Sequence, residues 1–231
     1  MAIQRGPKIV TSGLVLALDA ANRNSYPGSG TTWYDLSSSK NTAILNNGPV
    51  FNRGNGGYFS FDGANDILSM TNNTTVSTST GFSVCVWLQQ INPQFNVNSW
   101  SYFYAENDFQ MGTYYSTSAD KYFLFDRYSG GSVSFVFSAN IVDSWSYLVF
   151  GTNSSRQPYV HTYNSTGYSY STDTRDIGSY NINFSSFFRA TGLSGARSYK
   201  ANCAALTMYN RKLTDIEVQQ NYNATKARFG L

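Results

Sequence analysis

Residues 82–89, Phe-Ser-Val-Cys-Val-Trp-Leu-Gln, alternate strictly between two sets of side chains. Phe82, Val84, Val86 and Leu88 fall on one side, and Ser83, Cys85, Trp87 and Gln89 on the other. A period of two is the geometry of a pleated strand, whose successive side chains point to opposite faces. The same period recurs at 121–126, 132–138, 145–151, 157–163 and 202–209, with shorter candidates at 14–19, 49–51, 58–61 and 67–70. Turn-forming runs such as Gly130-Gly131 and Asn153-Ser154-Ser155 separate them. Many short strands punctuated in this way predict an all-β chain folded as a two-sheet antiparallel sandwich. With 18 Tyr and 16 Phe among 231 residues and only 13% charged residues, the composition also suits pleated, half-buried surfaces.

No repeat and no Pro- or Gly-rich linker divides the chain, so residues 13–231 read as one domain. Residues 1–12 lack periodicity and contain Gly6-Pro7, which predicts an extended N-terminal arm. Its apolar residues Ile3, Ile9 and Val10 are candidates for contact with a partner. In the long loop 22–40, Trp33 and Tyr34 are expected to anchor the backbone on the core.

One helix interrupts the β pattern. Thr214 can cap it, and Glu217 three residues later can reach back, forming a capping box. Leu213 and Val218 are spaced as a hydrophobic staple. Val218, Tyr222, Thr225 and Phe229 then share a face, predicting a helix over 214–227 docked on the sandwich.

This ending resembles the C-terminal signature of laminin-G-like, concanavalin-A-like jelly-roll domains, in the version found in tailed-phage virion proteins. Those close with a strand ending in Tyr-Asn-Arg, then Leu-Thr, an acidic residue, a Glu and an Asn-Tyr-Asn-Ala run. Here these are Tyr209-Asn210-Arg211, Leu213-Thr214, Asp215, Glu217 and Asn221-Tyr222-Asn223-Ala224. Three further blocks are similar and in the same order: Gly13–Ala20 with Ser25–Ser37, Phe61–Asp66, and Phe82–Trp87. The resemblance covers roughly residues 13–230 and implies a jelly roll with one short C-terminal helix. It implies a virion surface protein, either a capsid decoration or a tail or fibre attachment module, acting through contacts with other virion proteins. Assembly would be in the host cytoplasm, and no signal peptide is visible.

Several chemistries have too few residues. A net charge of +3 without a Lys/Arg run leaves no nucleic-acid footprint, and no apolar run is long enough for a membrane span. His161 is the single histidine, and no Gly-x-Ser-x-Gly elbow occurs. Glucanases of the concanavalin type imply a Glu-x-Asp-x-Glu strand. Here Glu106-Asn107-Asp108 is followed by Phe109-Gln110, so the motif is broken and no catalytic residue is assigned. Glycoside hydrolysis ranks last among the alternatives. Cys85 and Cys203, each inside an apolar strand pattern, are expected as buried free thiols.

Carbohydrate binding requires less, and a glycan-binding adhesin for host-surface glycans is the alternative function. Trp100, Tyr102 and Tyr104 alternate on one side of a predicted strand, with Tyr114, Tyr115 and Tyr122 soon after. These six could stack on sugar rings or fill an inner face. No motif demands a cofactor. Calcium is the one ion with nameable ligands, Asp62, Asn65 and Asp66, on a turn that Asx hydrogen bonds alone could also explain. A homo-oligomer is compatible with all of this.

Overall fold

The computed structural model describes residues 8–91, 99–106, 109–115, 121–127, 133–138, 141, 143–188 and 199–231. The first strands are β1 (Leu14–Asp19), β2 (Thr32–Trp33), β3 (Ala43–Asn46), β4 (Val50–Asn52), β5 (Tyr58–Asp62) and β6 (Ile67–Ser77). The middle of the chain gives β7 (Phe82–Gln90), β8 (Ser99–Glu106), β9 (Phe109–Tyr115), β10 (Lys121–Arg127) and β11 (Val133–Ser138). It closes with β12 (Ser146–Thr152), β13 (Pro158–Asn164), β14 (Gly167–Thr172), β15 (Asn181–Phe187), β16 (Lys200–Tyr209) and α1 (Asp215–Thr225).

Among the described residues every strand pairing is antiparallel. An eight-stranded sheet runs β14-β13-β12-β7-β16-β5-β4, with β1 also on β16. Facing it are two four-stranded sheets, β11-β10-β9-β8 and β15-β6-β3-β2. The Phe188 N–H donates to Phe103 O at 2.7 Å and ties these two together where β8 meets β15. The result is the layered antiparallel β-sandwich that the alternation predicts, with one short α-helix among the described residues.

β7 shows how the alternation sets the layers. Phe82, Val84, Val86 and Leu88 enter the main core between the sheets. Cys85 and Trp87, on its other face, enter a second cluster with Tyr147, Leu213 and Val218. A central strand between β12 and β16 is thereby buried on both faces. Both cysteines are buried and free.

The second cluster exists because α1 covers the outside of the large sheet. Thr214 Oγ1 accepts from Glu217 N at 3.3 Å, and Glu217 Oε2 accepts from Thr214 N at 2.9 Å, so the capping box forms. Arg211 clamps Glu217 with two hydrogen bonds of 2.8 and 2.6 Å. That guanidinium is the main reason the Glu217 carboxyl titrates far down, at about 2. Thr214→Ala should lower stability by about 0.5–2 kcal/mol, the usual value of a cap. Chemical denaturation checks this, and an unchanged midpoint would mean the Arg211–Glu217 pair holds the first turn alone.

Two expectations need correction here. Val10 is not offered to a partner: it is 7% exposed and sits in the second cluster. Its N–H donates to Asn221 Oδ1 at 2.7 Å, and its carbonyl accepts from Tyr209 Oη at 2.9 Å. Ile9 is half-buried beside it, while Ile3 lies outside the described residues. The physical reason is Asn221, a buried side chain on α1 whose Oδ1 takes the Val10 N–H and whose Nδ2 donates to Tyr209 Oη, the group that satisfies the Val10 carbonyl. In the 22–40 loop, Trp33 is an anchor as expected, fully buried, but Tyr34 is exposed.

Candidate functional site

The tyrosines singled out in the sequence do not form a sugar-stacking surface where their side chains are described. Tyr102 is 3% exposed and Tyr104 is 2% exposed. The register of β8 on β9 shifts between Tyr102 and Tyr104, so Phe103 is an extra residue in a bulge. The bulge breaks the apparent alternation and places Phe103 and Tyr104 together in the main core. Tyr104 packs 4.4 Å from Phe184, ring centre to ring centre. Trp100, Tyr114 and Tyr122 are direct cross-strand neighbours on β8, β9 and β10, and Tyr115 pairs with Ser99 and Lys121. The side chains of these four lie outside the described residues.

Of the candidate calcium ligands, Asp62 and Asp66 bond within their own turn. Asp62 Oδ1 accepts from Ala64 N at 2.7 Å and from Asn65 N at 3.3 Å, while Asp66 Oδ2 accepts from Asp62 N at 2.9 Å. Burial pushes the Asp66 carboxyl up, opposed in part by the hydrogen bond it accepts from the Asp62 N–H. Gly63 adopts φ +75°, and a Cβ there would stand 2.7 Å from the Lys200 Cβ. This is an Asx-stabilised turn pressed against β16. A calcium ion requires six to eight oxygens, whereas one oxygen of each carboxylate here is engaged by turn amides.

The Glu106 side chain and Asp108 lie outside the described residues. Among the described residues, no group of three or more His, Cys, Asp and Glu is placed to hold a metal. No helix among them is long and apolar enough to cross a membrane.

His161 is fully buried, with Nδ1 3.1 Å from Tyr168 Oη. Its Nε2 has no hydrogen-bond partner and lies 3.9 Å from Asp215 Oδ1. Burial, opposed by Asp215 and reinforced by Lys212, lowers its titration to about 4. At neutral pH it is an uncharged packing residue whose ring supports a surface.

That surface is the hairpin of β13 and β14. Asn164 closes it by accepting from Thr166 N and Thr166 Oγ1 at 2.9 and 2.6 Å, and Gly167 leaves the turn at φ +124°. The hairpin register pairs His161 with Tyr170 and Tyr163 with Tyr168 on the outer face of the large sheet. Tyr168 is 51% exposed and Tyr170 41%. Tyr163 lies 4.5 Å from Tyr168 and 4.4 Å from Tyr222 of α1, the latter pair stacked at 21°. His161 lies 4.6 Å from Tyr170. Five rings thus adjoin one another across the sheet edge and the helix.

Lys212 Nζ stands 4.8 Å above the Tyr159 ring and 5.8 Å from that of Tyr170, and Lys226 Nζ stands 5.1 Å above Tyr222. Burial pushes the Tyr163 phenol up to about 12, so it stays protonated and able to donate. The platform offers flat apolar faces ringed by phenol, ammonium and carboxylate groups. Sequence reasoning missed it, although Tyr168-Ser169-Tyr170-Ser171 carries the period-two signal.

No protein family and no curated protein sequence matches the chain. Solved structures do match in fold. A mutant of Trypanosoma rangeli sialidase displaying trans-sialidase activity superposes with a TM-score of 0.62 at 14% identity, over 95% of this chain and 34% of its own. The ligand-binding domain of botulinum neurotoxin serotype D, in complex with N-acetylneuraminic acid, superposes with a TM-score of 0.62 at 10% identity, over 93% and 51%. The binding domain of botulinum neurotoxin DC in complex with SialylT gives 0.58 at 12% identity, over 94% and 52%. This chain therefore spans between about a third and a half of those proteins. At such identities the likeness is one of fold.

Proposed function

We propose that this chain is a non-enzymatic carbohydrate-binding module that holds a glycan against the tyrosine face of β13 and β14. The observation that carries this is the exposure of Tyr168 and Tyr170 on a bed of further rings. Large apolar rings left half in water on a sheet edge cost solvation unless something covers them, and sugar rings present flat C–H faces that suit them. Two of the structural neighbours are described as complexes with sialic acid or a sialylated ligand, which supports the same class of partner. The lone buried histidine and the broken carboxylate motif support the non-enzymatic part.

The sequence blocks that resemble those of tailed-phage virion domains favour the setting, a particle surface where this face meets host glycans and another face meets virion proteins. Imaging the chain in its native assembly tests that setting directly.

Glycan-array binding tests the face. Tyr170→Ala should weaken binding to the best array glycan at least tenfold while the chain stays folded, with a modest fall in melting temperature because Tyr170 also covers His161. An array without any binder, or full binding by the variant, rejects the reading and leaves assembly contacts as the function.

A further inference from the structure

A cleft of about 450 Å³ opens between the loop that follows β1 and the strand β4 with its 3₁₀ turn at 54–56. Its size is within the range of small-molecule sites. Tyr26 and Phe51 form an aromatic wall, with ring centres 4.8 Å apart, and Tyr26 is braced from behind by Phe59 at 4.7 Å. The loop is pinned in place. Ser25 and Tyr26 both donate their N–H to Asn22 O, Ser25 Oγ donates to Tyr34 O at 2.6 Å, and Tyr26 Oη donates to Gly30 O at 2.9 Å.

Arg23 and Arg53 line this cleft, both exposed, and no acidic side chain lines it. The other arginines with described side chains are all paired: Arg156 with Asp176, Arg175 with Asp173, Arg211 with Glu217 and Arg228 with Asp19. Among the described residues, Arg23 and Arg53 alone of these arginines make no ion pair or hydrogen bond, and both face the same space. Asp19, at the end of β1, does not neutralise them, because its Oδ1 already accepts from Arg228 Nη1 at 2.8 Å and Ala21 N at 3.0 Å. Two uncompensated guanidinium groups beside an apolar wall select an anion with a flat apolar side. A guanidinium fork matches a carboxylate, and an aromatic wall matches a sugar ring face.

We propose that this cleft is a subsite for an acidic sugar, its carboxylate held by Arg23 and Arg53 and its ring laid against Phe51. The inference rests on the glycan-binding reading and adds a charge class and a second place on the molecule. The test is titration of the full chain, followed by ligand-observed NMR, with N-acetylneuraminic acid, D-glucuronic acid and D-galacturonic acid. D-glucose and D-galactose are the neutral arm, and inorganic sulfate is the anion without a ring.

At least one acidic sugar should bind tenfold or more tightly than the neutral sugars. The double variant Arg23→Gln/Arg53→Gln should lose that preference tenfold or more at an unchanged melting temperature. Tyr170→Ala should leave acidic-sugar binding in the cleft as it is, so failure of the tyrosine face and failure of the cleft are read separately. Equal binding of acidic and neutral sugars, or acid binding retained by the double variant, overturns the proposal. Displacement by sulfate at the same concentration as the sugars also overturns it, reducing the cleft to an anion site without sugar recognition.

Discussion

Replacing Trp87 with alanine should lower the stability of this chain by about 3–5 kcal/mol, the range for deleting a large buried aromatic ring. Trp87 is buried on the outer face of β7, where its ring stacks on Phe229 at 4.0 Å and lies 5.2 Å from Tyr147. Its Nε1–H donates to Thr225 Oγ1 at 2.7 Å, and that hydroxyl donates onward to Asn221 O at 2.9 Å. One side chain thus joins the large sheet to the last turn of α1 and to Phe229 beyond it. Its removal opens a cavity beneath a helix with few other apolar anchors, since Val218 is the one fully buried apolar residue of α1.

The loss should therefore be local first. Amides of 215–229 should exchange much faster, while those of β7 and β12 keep most of their protection. Trp87→Phe separates the two contributions. It keeps a ring against Phe229 but gives up the bond to Thr225, for a loss of about 1 kcal/mol. Equilibrium denaturation measures both variants. If alanine costs less than about 1 kcal/mol, contacts other than this one hold the helix on the sheet.

The residues of this anchor show what could be read from sequence. Capping box, staple and stripe were legible because all their partners lie within 15 residues. The alternation of 82–89 was legible because both faces are buried, so each period-two set keeps its own character. Asn221 was not, because an amide on a short helix reads as solvated surface. Its partners, Val10 and Tyr209, are identified only when strand β16 brings the chain ends together.

The β8 bulge failed for a related reason. Trp100-Ser101-Tyr102-Phe103-Tyr104 looks like clean alternation, and the extra residue is set by register against β9, not by local sequence. Neither candidate site lies on a contiguous motif. The tyrosine face draws on a hairpin and a helix about 50 residues further on, and the arginine cleft draws on two loops about 30 residues apart.

Between pH 6.5 and 4 the chain should lose about 3 kcal/mol of stability through His161 alone. In the unfolded chain this imidazole titrates near its ordinary value of about 6.5, whereas burial lowers it to about 4 in the folded state. Over that interval the unfolded state takes up a proton and the native state does not, so acid favours unfolding. The stabilisation is complete above about pH 6.5 and is lost as pH falls towards 4. Glu217 acts in the same direction over a lower window. Its carboxyl is held at about 2 by Arg211, so its contribution is lost only as pH falls from about 4.5 towards 2.

The groups around His161 explain why the proton is refused. Burial is the main cause, and Tyr170 covers the ring. Lys212 adds positive charge nearby, and Asp215, exposed and 3.9 Å from Nε2, offsets burial only in part. His161→Phe removes the titration while filling much the same space. Denaturation midpoints at pH 7, 6, 5 and 4 should therefore diverge, falling steeply for the natural chain and staying nearly level for the variant down to about pH 4.5. Parallel slopes would mean that the ring takes its proton in the folded state near pH 6.5, which an NMR titration of the imidazole would show directly. Because Tyr168 is both the partner of His161 and part of the exposed platform, the two results are linked. Glycan binding on that face should hold from pH 8 to 5, where the imidazole is neutral, and weaken only where protonation of His161 displaces the Tyr168 ring.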